Sequence, residues 1–403
     1  MRAFTAAVAM ILFSGPAFGA GTGLPAAPSH RDTVTVDFVM AERMVEWLEA
    51  AAAGASEEAL RGLFFEKVAP TGGCQAIIKH WARFRDWDEE LFFNFILEAL
   101  GRVPVDAPLE DEHGQPTRLG WAHPLWQAAI ENPQRVRRDI AALREANVQD
   151  RAVAAARRFL PDDAVATNEF FVVLFGASPA FSIGEQNGYD ILQLPRLANG
   201  ALDTERIIAT FAHEIHHSGF TSASRAAMGP LASNRSLSFV GMLVAEGMAT
   251  TYLTPSFLEL DHLRQSPNQA DRAISADWDF HLPRLPELFS RAEAMIESSL
   301  DSPPPIERLV TDWLAGAAGP VYVLGVEMIR TIDRELGLEA VLELVDFRRL
   351  LLIYNKAAQR AVERGDTAYV FDHDLAKRLA WFGEDTAGPA IAAAGSETNR
   401  SPR

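Results

Sequence analysis

The stretch Thr204-Glu-Arg-Ile-Ile-Ala-Thr-Phe-Ala-His-Glu-Ile-His-His-Ser-Gly-Phe220 organises the chain. It reads as an amphipathic helix. Asp203 or Thr204 can cap its start, because a side-chain oxygen there accepts from a free amide of the first turn. Glu205 sets a negative charge at the positive end of the helix dipole. Ile207, Ile208, Phe211 and Ile215 recur at spacings of three and four, so one stripe is apolar. Gly219 is the expected stop, since a helix often ends on a left-handed glycine.

Within this helix, His213-Glu214-Ile215-His216-His217 has the spacing H-E-x-x-H. Residues four apart lie one above the other on a helix, so His213 and His217 can turn ring nitrogens towards one ion. Glu214 is rotated about 60° from His217 and flanks the pair, where it can take a proton from a water that the metal activates. Zinc is the expected ion, because it favours imidazole and carboxylate ligands and brings the pKa of water to about 7. Chance would give about 0.03 such patterns in a chain with 10 histidines and 54 acidic residues, which sets aside most of the alternative, a structural histidine pair. His216 points off to the other side and reads as a core or supporting residue.

Catalytic zinc takes three protein ligands and keeps one position open. A histidine six residues beyond His217 would complete one known pattern, but Ala223 stands there. From Ile215 to Ala245 there is no Asp, Glu or Cys, and no further His outside the motif. The first acidic residue is Glu246, inside a nearly all-apolar helix expected over residues 236–253. A lone carboxylate is costly to bury there unless it is paired or metal-bound. It is the candidate third ligand, and the alternative is a salt bridge to Arg225 or Arg235. Gly247 would let another backbone approach closely.

His213-Glu-Ile-His-His217 followed by Ala245-Glu-Gly-Met-Ala249 resembles the gluzincin metallopeptidases, the thermolysin-like clan whose third ligand is a Glu on a following helix. More narrowly, it is similar to bacterial zinc-dependent peptidases with the motifs H-E-x-H-H and E-G-x-A. The resemblance implies His213, His217 and Glu246 as ligands and Glu214 as general base. It rests mainly on residues 165–255. In the thermolysin pattern an Asp four residues after the ligand Glu orients a ligand His, whereas Thr250 stands here. In gluzincins a Tyr or His from the C-terminal helical lobe can stabilise the oxyanion. Tyr322 is the first candidate for that role and His281 the second, against plain packing roles for both.

Residues 1–20 combine Arg2, an apolar run and Ala17-Phe18-Gly19, the pattern of a secretory signal peptide cleaved near Gly19. Cys74 is the only cysteine, so no internal disulfide forms, and it reads as a buried small hydrophobe. A net charge of −17 argues against nucleic acid or an anionic membrane as partner. Nothing beyond the signal reaches membrane-spanning length without charge, so no stable membrane insertion is expected after its removal. Residues 34–160 look helical throughout, with helices expected over 38–48, 60–65, 74–84, 88–100, 126–146 and 150–160 and a loop over 104–116. His80, His113 and His123 read there as core or surface residues.

Composition changes at Pro161-Asp-Asp163. The β-branched and aromatic run over 170–176 is of strand type, and 180–183 and 189–194 read as a hairpin turning at Asn187-Gly188. In the zincin fold an edge strand over the metal pairs with an extended substrate, and this hairpin is the candidate for it. Residues 221–235 read as a polar connection, and 262–285 as an irregular aromatic segment covering a cleft. Ser302-Pro303-Pro304-Pro305 breaks the chain before helices over 306–315, 321–336, 338–345 and 347–363.

The expected fold is mainly α (α+β). It has a signal peptide at 1–20, an N-terminal helical lobe at 34–160 and a zincin-like metal-binding core at 161–260. A C-terminal helical lobe at 261–383 and a disordered tail at 384–403 follow. The expected activity is that of a secreted or periplasmic zinc metallopeptidase acting on peptide or protein substrates. Two alternatives stand beside it: a zinc amide hydrolase acting on a non-protein substrate such as cell-wall peptide, and an inactive binding or scaffold protein. The intact Glu214 argues against the second, because holding a metal does not require it.

Overall fold

The computed structural model of the chain describes residues 32–384, apart from 83–85, 104–108, 111–116, 179, 184, 198, 267 and 268. The expected signal peptide lies outside the described residues. So do His113, most of the loop expected over 104–116, and the expected tail beyond Glu384. The architecture is mainly α with one small sheet, as the sequence predicts.

The described residues do not start helical, against the expectation for residues from 34 on. Thr33–Asp37 forms strand β1, with side chains alternating as a strand demands. Among the described residues the α-helices that follow are α1 (Val39–Ala52), α2 (Glu57–Leu63), α3 (Gly72–Trp81), α4 (Glu89–Ala99), α5 (Arg118–Glu131), α6 (Pro133–Glu145) and α7 (Val148–Arg157). The single helix expected over 126–146 is broken at Asn132-Pro133. Proline has no amide to continue α5, and Asn132 Oδ1 caps α6 by accepting from Arg135 N at 3.1 Å.

Strands β2 (Thr167–Val173), β3 (Ala180–Ile183) and β4 (Gln186–Asp190) complete a sheet of order β1-β2-β4-β3. β1 and β4 run parallel to β2, and β3 is an antiparallel edge strand on β4. The hairpin exists, but Asn187-Gly188 lies within β4 and not at its turn. Gly188 faces Phe181 across the pair, where a Cβ would come within 2.1 Å of the ring, so the glycine makes room for an aromatic. Alternate residues of β2 face opposite layers. Phe170 stacks on Phe211 of the metal-motif helix at 4.7 Å, while Phe171 and Val173 press on Gly72 and Gly73 at the start of α3.

That motif helix, α8 (Thr204–Met228), runs well past Gly219. Gly219 serves close packing instead: a Cβ there would meet Leu160, just after α7, at 2.4 Å. The helix stops at Gly229, whose φ of +57° suits glycine. α9 (Ser238–Tyr252) follows, buried from Phe239 to Thr250. The segment expected to be irregular over 262–285 is largely helical, in α10 (Leu260–Gln265) and α11 (Gln269–His281). α12 (Leu285–Asp301), α13 (Ile306–Leu309), α14 (Pro320–Leu336), α15 (Leu338–Leu342), α16 (Leu350–Glu363) and α17 (His373–Ala380) complete the described chain. None of these helices is long and apolar enough to cross a membrane.

The apolar interior falls into two large clusters. One joins the sheet to α1–α7 and takes Ile207, Phe211 and Ile215 from α8. The other joins α9, α12, α14, α16 and α17 and takes Phe220, Ala223 and Met228 from the same α8. A small third cluster ties Leu263, Ile274 and Trp278 to Ala318, Val323 and Val326. The H-E-x-x-H turn therefore sits where the two large clusters meet.

Candidate metal centre

Asp203 starts α8 by accepting from Arg206 N at 3.2 Å, which fixes the helical phase of everything after it. Nearly three turns later His213 and His217 stand one above the other, with ring centroids 4.6 Å apart and planes at 82°. His213 and Glu214 are buried, and His217 is slightly more open. Nitrogen and carboxylate atoms of His213, Glu214 and His217 lie within 4.8 Å of one another, close enough to share an ion.

α9 brings Glu246 to the same point. Its Oε2 lies 3.3 Å from His213 Nε2 and 3.3 Å from His217 Nε2. Glu246 faces these two imidazoles, while Arg235 donates to Pro304 O. The placement depends on Gly247. α14 crosses α9 so closely that a Cβ on Gly247 would come within 2.6 Å of the Gly325 backbone. One turn before Gly325, the same helix carries Tyr322 into the cavity beside Glu214.

Burial and charge act against each other here. Burial pushes the Glu214 carboxyl up to about 8, with His217 pulling it back and Glu246 adding to the rise. Burial likewise lowers His213. His217 is raised despite its burial, because the Glu246 and Glu214 carboxylates favour its charged form. Glu246 is lowered despite its own burial by the same two histidines. Burial raises the Tyr322 phenol, helped by the charges of Glu246 and Glu214, so it stays a hydrogen-bond donor.

The donors fit zinc. A charge-assisted N–H···O bond closes to about 2.7–2.9 Å, shorter than either contact of Glu246. Donors bound at about 2.0–2.1 Å around a tetrahedral zinc stand about 3.3–3.4 Å from each other, which is the spacing found. Glu214 Oε1 is buried with no hydrogen-bond partner among the described residues, as is His217 Nδ1. Two imidazoles and carboxylates form the donor set that zinc prefers.

Some supporting residues escape the motif reading. His213 Nδ1 lies 3.3 Å from Thr254 Oγ1, so the group behind this histidine is a threonine just beyond α9. Thr250, where the thermolysin pattern has Asp, is buried with its hydroxyl unpartnered among the described residues. Its spacing of four from Glu246 carries on to Thr254, a faint signal in the sequence. His216 turns away, and its Nε2 lies 3.2 Å from Phe159 O. His281 ends α11 against Phe280 and outside the residues that line the cavity, so the structure brings Tyr322 to the site and not His281.

The cavity has a volume of about 160 Å³. Its walls come from α8, from β4 and the residues after it, from the end of α9 and from α11 and α14. The edge strand β3 contributes Ala180 to its rim.

The comparison with curated proteins finds no match, and neither does that with solved structures. A family model described as "Putative zinc dependent peptidase (DUF5700)" matches residues 104–362. The match takes in α8 with His213, Glu214 and His217, α9 with Glu246 and α14 with Tyr322. Because it spans well over half of the chain, the protein belongs to this family, whose description names a zinc-dependent peptidase.

Proposed function

We propose that the protein is a secreted or periplasmic zinc metallopeptidase of the gluzincin type, hydrolysing peptide bonds in peptide or protein substrates. His213, His217 and Glu246 hold the metal, and Glu214 is the general base. The observation that carries this reading is one Glu246 oxygen equidistant, at 3.3 Å, from two imidazole nitrogens on another helix. Export rests on the signal pattern of residues 1–20.

When bound, zinc polarises the scissile carbonyl and makes water acidic enough to attack at neutral pH. Glu214 accepts the proton of the attacking water and delivers it to the departing amine. Its place next to His213, on the cavity side of α8, suits both transfers. Tyr322 enters from the opposite wall and donates its O–H to the oxygen that gains charge, a contribution of about 3 kcal/mol at similar sites. The edge strand β3 offers backbone groups to an extended substrate at the cavity rim.

Elemental analysis of the purified protein tests the reading first. About one zinc per chain is expected. Glu246→Ala should lose most of it, and Glu214→Gln should keep it while abolishing peptide cleavage. A folded protein that takes up no zinc would overturn the reading.

A further inference from the structure

One wall of the cavity has no part in holding the metal. Arg206 stands two turns before His213 on α8, and its guanidinium grips Asp271 of α11 with both terminal nitrogens, one at 2.8 Å. Asp271 also accepts from Ser266 Oγ at 2.6 Å. The pair is nearly buried, with side chains 14% and 4% exposed, yet both residues line the cavity. Replacing a buried ion pair with apolar residues is often neutral or stabilising, so stability alone does not account for it. Apart from Thr210, the rest of this wall is apolar: Ile274 and Trp278 come from α11, and Ile207 and Phe211 from α8. An engineered apolar cavity of about 150 Å³ holds a benzene ring, so the volume here suits a side chain of ring size.

We propose that this cavity is the side-chain subsite next to the scissile bond and that α11 is its specificity wall. Ile274 and Trp278 set the shape. The Arg206–Asp271 pair sets the charge by cancelling itself, so the subsite accepts a large uncharged side chain and turns away Glu and Lys. Each member of the pair satisfies the other, and a charged substrate side chain would have to compete with a partner already held in place. The proposal rests on the peptidase reading.

The test uses the zinc-loaded full chain and synthetic peptides that differ at one position (Phe, Leu, Ala, Glu or Lys), with cleavage sites read by mass spectrometry. Wild type is expected to cut beside Phe or Leu at least about tenfold faster than beside Ala, Glu or Lys. Ile274→Trp fills the cavity and should move the preference towards Ala by about tenfold. Asp271→Asn releases the charge of Arg206 and should raise cleavage beside Glu by a similar factor. Arg206→Met combined with Asp271→Leu removes both charges and should still rank Phe above Glu and Lys. If Asp271→Asn fails to fold, Arg206→Met alone answers the charge question: it frees the charge of Asp271 and should raise cleavage beside Lys by a similar factor. Equal wild-type rates for all five peptides, or a ranking left unchanged both by Ile274→Trp and by the folded single charge variants, would overturn the proposal and leave the peptidase reading standing. A zinc-loaded wild type that cuts none of them would fell the peptidase reading and this proposal with it.

Discussion

At the scale of single residues, the proposed metal site depends on what stands behind its candidate ligands. Thr254 Oγ1 is 3.3 Å from His213 Nδ1 and holds the ring with Nε2 towards Glu246. Removing such a partner typically costs 10–100-fold in metal affinity, so Thr254→Val is expected to weaken zinc binding by about tenfold or more in a chelator-competition titration. The same charges give the metal-free protein a pH signature. His217 is raised above its ordinary value of about 6.5, so its contribution is complete below that pH and fades as pH climbs through the raised value. Glu214, pushed up to about 8, adds the same sign, because the unfolded chain gives up that proton first. The metal-free protein is therefore expected to melt lower at pH 9 than at pH 7. Zinc displaces the proton from His217, so the loaded protein should show a weaker slope, and scanning calorimetry at the two pH values checks both. The positions of His213, Glu214 and His217 were legible because four residues make nearly one turn. Glu246 was legible because no other acidic residue stands between the motif and its own helix turn. Thr254 was not, since it lies past the end of its helix, where periodicity says little. Tyr322 and His281 looked alike in sequence, because only the crossing of α14 over α9 brings one of them to the cavity.

At the scale of elements, glycines report close contacts more than chain stops. Gly219 looked like a helix end and proved to be a bed for Leu160, while the helix ran on to Met228. Gly188 looked like a turn and proved to lie under Phe181 in β4. Both readings failed for one reason: glycine has no side chain, and sequence alone does not tell a need for φ freedom from a need for space. Gly247 was read as a place of close backbone approach, and Gly325 is what approaches it. Gly247→Ala forces α9 and α14 apart and is expected to cost about 1–3 kcal/mol in urea unfolding, with a fall in zinc affinity as Glu246 shifts. Gly62 in α2 is the counterpart. Nothing lies within 4 Å of a Cβ there, and Gly62→Ala is expected to stabilise by about 0.5–1 kcal/mol. β1 escaped the helical reading because five residues are too few to outweigh the long helical run that follows, and its parallel partner β2 is far away in the chain.

At the scale of the molecule, α8 is common to both large apolar clusters, with Phe211 in one and Phe220 in the other. Neither cluster can lose this helix and stay intact, so one cooperative melting transition is expected. Trp126 reports on the first cluster and Trp313 on the second, and fluorescence of variants retaining one or the other should give the same midpoint as circular dichroism. Two separate midpoints would mean that the clusters unfold independently. The mainly helical class was legible from periodicity, whereas the sharing of α8 was not, because the turns that meet the second cluster lie at and beyond Gly219, where the sequence reads as a polar connection. The close seat of Gly247 on Gly325 also bears on how the protein comes into being. A ribosome releases the two histidines well before the strand of chain that clamps the carboxylate helix beside them. Until α14 has been made and docked, α9 lacks the neighbour that presses on it at Gly247, next to Glu246. A half-made or truncated chain thus carries the whole motif before the support at Gly247 exists.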